Sequence, residues 1–428
     1  MTFARAHKFE IAIVVLALIV RLICFYVVVD ARRGSVIDTV RADDGYFEIA
    51  QNVLAGNGFS WSSAAPYAPN PLRTPGYIYF LAGLLGSTGS VAVAAVIQLL
   101  LSCAIPVLGL YIARHITRST RIGMVTGAIL ALDPTLALLS FQFYTDTLFL
   151  VLFFAWTLLI FRYLERPRWI MLAISAILLG LAIITRPVAQ YIPLLLVPFI
   201  LWRFGKGDWK NGAVHALAYL AIVGAILMPW VVRNIHTFGE PGLSAQTPFV
   251  LYTNLAPAVL SVAHNTDFID ERNTFLTPAE YKGDAITLAN GSTYTTRALE
   301  IVRTYPYAVV FIAGKSLFTF FTNDGMYTLL AMAGYAPYEY LWLLIGARLV
   351  WAAITIAAFV GALVYLLKQR SQLAILIILL VAYFALTSTI AAFGTNPRYR
   401  LPVDPILLSL AAIGGMYLLE RARHFLRV

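Results

Sequence analysis

Two adjacent carboxylates, Asp43 and Asp44, are the first candidates for a catalytic role. They precede the segment Tyr46–Leu54, whose apolar residues recur at i, i+3, i+4, i+7 and i+8, the spacing of a short amphipathic helix. A helix N-cap needs one carboxylate. The second is then free to act as a general base or to help hold a divalent metal. No third metal ligand is evident nearby, so no cofactor is assigned and a divalent metal stays an alternative.

Basic side chains recur at predicted helix ends and in the first long polar segment. Guanidinium groups bind phosphate through paired hydrogen bonds, and a lysine inside an apolar stretch needs a partner. Lone arginines at helix ends also snorkel to the membrane surface. A shared anionic ligand explains why so many lie on one side of the membrane. We therefore expect the following residues to contact a ligand phosphate: Arg73, Arg186, Arg233, Lys315, Arg398 and Arg400.

Four further side chains are expected in the same cavity. Asp146 begins an apolar helix, where it either caps that helix or points into the cavity. Tyr46 follows the acid pair, Asn234 follows an arginine, and Tyr399 lies between two arginines.

The composition is that of an integral membrane protein. Of 428 residues, 60% are hydrophobic and only 12% are charged, with a mean hydropathy of +0.78, whereas soluble domains carry about 25% charged residues. Membrane topology explains the net charge of +10 better than a nucleic-acid partner does. Walker and GxGxxG loops are missing and the histidines are scattered, which argues against ATP-driven, dinucleotide and zinc chemistry.

Apolar runs of about 20 residues recur along the chain. The first run is too long for a signal-peptide core and predicts a retained span. The segment 306–336 predicts either two short crossings or a broken, re-entrant pair, so the total is 10 or 12 in a single transmembrane domain, 1–428. The runs lie near 9–29, 90–113, 122–141, 145–164, 169–186, 188–204, 213–233, 341–367, 371–393 and 403–420.

Short basic turns between these runs predict their orientation. Cytoplasmic turns are enriched in lysine and arginine, and basic turns follow the predicted spans that end near 113, 164, 204 and 367. Both termini are then cytoplasmic. Two long segments, 30–89 and 235–305, are placed on the periplasmic or extracellular side, and the chemistry is expected between them and the outer helix ends.

The order of the motifs resembles a known group of enzymes. The acid pair is followed by a helix of Tyr-x-x-Ile-Ala-x-Asn-x-Leu type, by Gly-x-Gly-Phe-Ser and by Arg-Thr-Pro-Gly-Tyr. Later motifs are Thr-Asp-Thr-Leu from Thr145, Thr-Arg-Pro from Thr185, Pro-Trp-Val-Val-Arg-Asn from Pro229 and Arg-Tyr-Arg-Leu-Pro from Arg398. The ordered set resembles GT-C glycosyltransferases of the protein-mannosyltransferase and aminoarabinose-transferase type, including the rhizobial lipopolysaccharide-core sugar transferases (family 39/83 type).

This resemblance implies a fold and a reaction. The fold is an all-α polytopic membrane protein with about 10–12 transmembrane helices and juxtamembrane helices in the first outer loop. The reaction moves a hexose or pentose from a polyprenyl-phosphate donor to a hydroxyl of a lipid, glycan or protein acceptor, with inversion, at the periplasmic face of a bacterial inner membrane. The resemblance makes a first-loop aspartate the base. The family acid usually lies four residues before the helix tyrosine, where this chain has Ala42, so Asp43 is favoured and Asp44 follows closely.

Two other classes of function fit a polytopic membrane protein. A surface-polysaccharide polymerase or ligase typically carries its key residues in a large later outer loop, and here the segment 235–305 is less patterned than the first. A lipid transporter or flippase places polar residues mid-span in several helices, and here only Arg21, Lys315 and Arg348 are charged and clearly mid-span.

Overall fold

The computed structural model describes residues 7–41, 44–369 and 371–425. The favoured base, Asp43, therefore lies outside the described residues. The described residues form α-helices joined by short 3-10 and π segments and contain no β-strand, which confirms the all-α prediction.

The helices are numbered in chain order. The first group comprises α1 (Lys8–Ala31), α2 (Val36–Val40), α3 (Tyr46–Leu54), α4 (Pro75–Thr88), α5 (Val91–Ser102), α6 (Ala104–Thr117), α7 (Thr120–Leu132) and α8 (Pro134–Leu139). The second comprises α9 (Asp146–Glu165), α10 (Trp169–Thr185), α11 (Ile192–Phe204), α12 (Trp209–Phe238), α13 (Gln246–Val250), α14 (Ala256–His264), α15 (Phe268–Phe275), α16 (Pro278–Lys282) and α17 (Gly291–Thr304). The last comprises α18 (Pro306–Thr322), α19 (Met326–Met332), α20 (Leu341–Gln369), α21 (Gln372–Ser388) and α22 (Asp404–Phe425).

Within the described residues, eight helical segments are long and apolar enough to cross a membrane, and α7, α10 and α18 are shorter apolar helices. The predicted run 122–141 is not one continuous helix. It breaks at Asp133, whose carboxylate accepts the backbone N–H of Leu136 at 2.8 Å and so caps α8. In the ambiguous stretch 306–336, α19 has only 7 residues, about 10 Å of helix. This length favours a broken segment over two crossings.

Helix α9 forms the centre of the bundle. Two thirds of its membrane-length window is buried, the largest share of the eight long segments found in the described residues. Phe149, Phe153 and Trp156 stack along one side of it within the largest apolar core. Its 20 residues span about 30 Å, so Asp146 and Glu165 mark opposite ends of the bundle.

Helices α20 and α22 approach each other more closely than side chains normally allow. A Cβ on Gly361 would lie 1.8 Å from the Leu410 carbonyl oxygen, and one on Gly414 would lie 1.9 Å from the Ala357 carbonyl oxygen. Small residues permit this kind of backbone contact between membrane helices. The contact fixes α22, and with it the turn that precedes α22.

The predicted amphipathic helix is present as α3, Tyr46–Leu54, and buries Tyr46, Phe47, Ile49 and Ala50. Its N-cap, however, is Gly45, which has φ 76° and makes no side-chain capping bond. The N-cap role that the acid pair could fill is therefore not filled by Asp44. The ring of Trp61 covers Gly45 so closely that a Cβ there would lie 2.9 Å from Trp61 Cε3.

The second long segment is largely helical, running from the end of α12 through α13–α17. Hydrogen bonds attach it to the first long segment. Trp61 Nε1 donates to Asp284 Oδ1 at 3.2 Å, and the backbone N–H of Ala245 donates to the Pro71 carbonyl at 2.8 Å. The bond between Ala245 and Pro71 places Gln246 near Arg73.

Candidate active site

The site is built around Asp146, the first residue of α9, whose side chain is fully buried. Arg186 Nη1 donates to Asp146 Oδ1, and Arg398 Nη2 donates to Oδ2 at 2.9 Å. Arg186 lies here because α10 ends at Thr185 before Pro187. Asp146 thus holds two guanidinium groups side by side, with one carboxylate oxygen on each, and its carboxylate does not cap α9.

A second ion pair joins the first polar segment to this centre. Arg73 Nη2 lies 3.2 Å from Asp44 Oδ1, and Arg73 Nε donates to the Asp44 carbonyl at 2.9 Å. Arg73 Nη1 also donates to Gln246 Oε1 at 3.3 Å. The Arg73 side chain is 13% exposed, whereas 36% of the Asp44 side chain is exposed. Asp44 is therefore held on one side and accessible on the other.

Arg398 connects the two carboxylates. Its Nη2 lies 2.9 Å from Asp146 Oδ2 and 4.0 Å from Asp44 Oδ2, while its guanidinium carbon lies 4.2 Å from the Tyr144 ring centroid. Its Nε is buried and has no hydrogen-bond partner. We name the group of Asp44, Arg73, Asp146, Arg186 and Arg398 the acid–arginine cluster.

The acid–arginine cluster carries three guanidinium groups and two carboxylates, which leaves one net positive charge. Burial lowers the pKa of Arg398, but Asp146 and Asp44 raise that pKa by more. Burial also lowers the pKa of Arg73, and Tyr46 and Asp44 raise it above its ordinary value. Both groups stay protonated at any working pH, which favours binding of an anion.

Tyr46 and Tyr399 lie against the arginines of this cluster. The Arg73 guanidinium carbon is 4.9 Å from the Tyr46 ring centroid, and that of Arg186 is 5.7 Å from the Tyr399 ring centroid. Burial raises the pKa of Tyr46, so its phenol stays neutral. Such contacts orient guanidinium planes without consuming their N–H donors.

The other predicted basic ligands lie outside the acid–arginine cluster. Arg400 is fully buried and bonds Asp404. Arg233 lies among aromatic rings, 4.6 Å from the Trp230 centroid, and donates to Asn234 Oδ1 at 2.8 Å. Lys315 is exposed on α18, with Nζ 4.1 Å from the Phe393 centroid.

Asn234 has a local role in the structure. Its Nδ2 donates to the carbonyls of Gly242 at 2.7 Å and Leu243 at 3.3 Å, so it holds the chain that follows α12. That chain leads to Gln246, which contacts Arg73. Gln246 and Tyr144 were not predicted. Tyr144 lies two residues before Asp146, which is a usable signal, whereas nothing in the sequence around Gln246 distinguishes it.

The cluster does not fit a divalent cation as arranged. The oxygens of Asp44 and Asp146 face guanidinium groups, and over the described ranges no three His, Cys, Asp or Glu side chains converge. A divalent cation prefers several oxygen ligands and is repelled by adjacent guanidinium charges. We therefore derive no reaction step through a metal.

Comparison with known proteins supports the resemblance. The family model of dolichyl-phosphate-mannose-protein mannosyltransferases matches residues 71–232, less than half of the chain. The matched range contains Arg73, Asp146 and Arg186. No curated protein gave a significant match. Together with the helical membrane architecture, the family match supports a membrane glycosyltransferase of GT-C type.

The chain is also similar to the crystal structure of the Archaeoglobus fulgidus oligosaccharyltransferase in the apo form. The two chains share 16% identity at a TM-score of 0.49, over 95% of this chain and 52% of that one. This chain thus spans about half the length of that protein.

Proposed function

We propose that this protein transfers a sugar from a polyprenyl-phosphate donor to an acceptor hydroxyl. The acid–arginine cluster carries the proposal, because it sets an accessible carboxylate, Asp44, beside Arg73 and Arg398, and Asp146 holds Arg186 next to Arg398. Displacing a sugar from a phosphate requires both: a group that takes the proton of the acceptor and fixed positive charge for the leaving phosphate.

In the proposed reaction the acceptor oxygen attacks the anomeric carbon and its proton passes to a first-loop carboxylate. The bond between the anomeric carbon and the phosphate oxygen breaks, and its electron pair stays on the phosphate. Arg73, Arg186 and Arg398 stabilise the charge that develops there. Each guanidinium has five N–H donors, so the bonds to Asp44 and Asp146 leave donors for the phosphate. Base and leaving group on opposite faces of the anomeric carbon produce inversion.

The two ends of α9 support the proposed membrane orientation. At the end opposite Asp146, Glu165 pairs with Arg118 and His115 and its carbonyl accepts from Arg203 at 3.2 Å. These basic residues belong to the short turns that the positive-inside rule places in the cytoplasm. We therefore place the acid–arginine cluster on the periplasmic side of a bacterial inner membrane and both termini in the cytoplasm.

The test is transfer of labelled sugar from a panel of polyprenyl-phosphate sugars by the purified full chain in lipid nanodiscs. Release of polyprenyl phosphate coupled to acceptor labelling is the expected result. Asp43→Asn, Asp44→Asn and the double substitution identify the base, and Asp38→Asn is the matched control because Asp38 is an exposed acid of the same polar segment that is not part of the cluster.

Two outcomes contradict the proposal. If the folded double variant transfers sugar at the wild-type rate, the first-loop acids are not the base. If no donor in the panel is consumed while labelled lipid crosses the bilayer of proteoliposomes, the protein is a transporter.

A further inference from the structure

Arg400 departs from its predicted role as a phosphate ligand. Its side chain is fully buried, its Nε lies 2.7 Å from Asp404 Oδ1, and its guanidinium carbon lies 3.6 Å from the Trp351 ring centroid. No face of this guanidinium is open to a ligand. Its function must therefore be exerted through its protein partners.

Those partners belong to three separate parts of the chain. Arg400 Nη1 donates to the carbonyls of Phe320 at 3.1 Å and Asn323 at 2.7 Å, at the end of α18. Asp404 begins α22, and Trp351 lies on α20. Arg400 thus binds the end of one helix, the start of a second and the side of a third.

The contacts of Arg400 are made two residues after Arg398 on the same connection. Residues 397–403 form two consecutive 3-10 turns, so Arg398 and Arg400 sit on one short, hydrogen-bonded connection. The turn after α18 also touches this connection, since a Cβ on Gly325 would lie 3.5 Å from Pro397 Cγ. These contacts attach the backbone that carries Arg398 to the end of α18 and to the start of α22.

The ion pair of Arg400 is poorly arranged for stability alone. Arg400 Nη2 and Asp404 Oδ2 are both buried without a hydrogen-bond partner. Buried ion pairs that are incompletely bonded are often no more stable than apolar residues of similar volume. A charged group at membrane depth more often serves function than stability.

We propose that Arg400 is a positioning residue that holds the 396–404 connection so that Arg398 faces Asp146 and the leaving phosphate. This inference rests on the proposed glycosyl transfer for its catalytic consequence. The orientation of Arg398 itself is measurable without any sugar substrate.

The test uses Arg400→Met combined with Asp404→Leu, which removes both buried charges, and Arg400→Lys, which keeps one charge but not the planar set of donors. Labelling of Arg398 by phenylglyoxal, read by peptide mass spectrometry, reports whether its ion pair is kept. We expect labelling of Arg398 to rise about tenfold in both variants, as for loss of about one ion-pair energy. We expect kcat to fall about 100-fold, the cost of misplacing a group by about 1 Å.

The matched control is Arg21→Met. Arg21 is equally buried and donates to Ser102 Oγ at 2.7 Å and to the Ala131 carbonyl at 3.3 Å, and none of its hydrogen-bond partners lies on the 396–404 connection. This control should leave Arg398 labelling unchanged. Wild-type labelling of Arg398 in the folded Arg400 variants, or an equal rise in the Arg21 variant, overturns the positioning role. If the wild-type protein transfers no sugar, the proposed function is refuted. The labelling of Arg398 still tests the positioning role, because it requires no sugar substrate.

Discussion

The two carboxylates that meet Arg398 are expected to respond differently to the same substitution. Asp146 is fully buried and binds two guanidinium groups, whereas Asp44 is 36% exposed and pairs mainly with Arg73. Replacing either by asparagine removes one negative charge from the acid–arginine cluster and changes little in shape. The comparison therefore separates a carboxylate that organises the cluster from one that reacts.

The magnitudes follow from burial. Breaking a buried ion pair costs about 3–5 kcal/mol because an uncompensated charge is left behind. Asp146→Asn leaves Arg186 and Arg398 without the carboxylate that compensates their charge, and both side chains are mostly buried. We therefore expect the free energy of unfolding to fall by about 3 kcal/mol, near the lower end of this range. The Asp44 pair is screened by solvent, so Asp44→Asn is expected to cost less than about 1 kcal/mol.

Asp44→Asn is expected to lower activity far more than stability. If Asp44 is the base, Asp44→Asn lowers kcat by about 10²–10⁴-fold in a protein of nearly wild-type stability. Denaturant unfolding of the purified variants in mixed micelles, paired with donor turnover, measures both quantities. Wild-type stability of the Asp146 variant, or a loss of about 3 kcal/mol in the Asp44 variant, would refute this reasoning. Full activity of Asp44→Asn with loss in Asp43→Asn assigns the base to Asp43.

Four further results are expected. Gly361→Ala forces a methyl group to within 1.8 Å of the Leu410 carbonyl oxygen. Thermal unfolding should therefore show a free energy of unfolding lowered by about 1–3 kcal/mol or more. Gly45→Ala places a side chain at φ 76° against Trp61 and should lower the free energy of unfolding by about 1–3 kcal/mol. Because Gly45 directly follows Asp44, turnover should also fall; normal turnover would show that this turn does not position Asp44. Arg398→Lys keeps the charge but not the planar fork and should lower kcat about 10²-fold; an unchanged kcat excludes a phosphate contact. Chelation of divalent cations should leave the transfer rate unchanged, and inactivation reversed by one metal would contradict the arrangement of the cluster.

Much of the fold was predictable because its signals are local. Apolar runs of membrane length identify most of the spans, and helical spacing predicted α3 with the bounds that the structure has, Tyr46–Leu54. The break at Asp133 was missed because a capping carboxylate and a following proline interrupt the helix without lowering the hydropathy of the run.

The sequence by itself determined a polytopic helical membrane protein, its resemblance to protein mannosyltransferases, and a set of acidic and basic residues at helix ends. Only the tertiary structure decided which of those residues contact one another. Arg398 and Arg400 are two positions apart, yet one reaches Asp146, 252 residues away, and the other reaches Asp404, four residues away. A side chain's partner depends on which distant segment packs beside it. Two arginines in similar local sequence can therefore bind different partners in different parts of the fold.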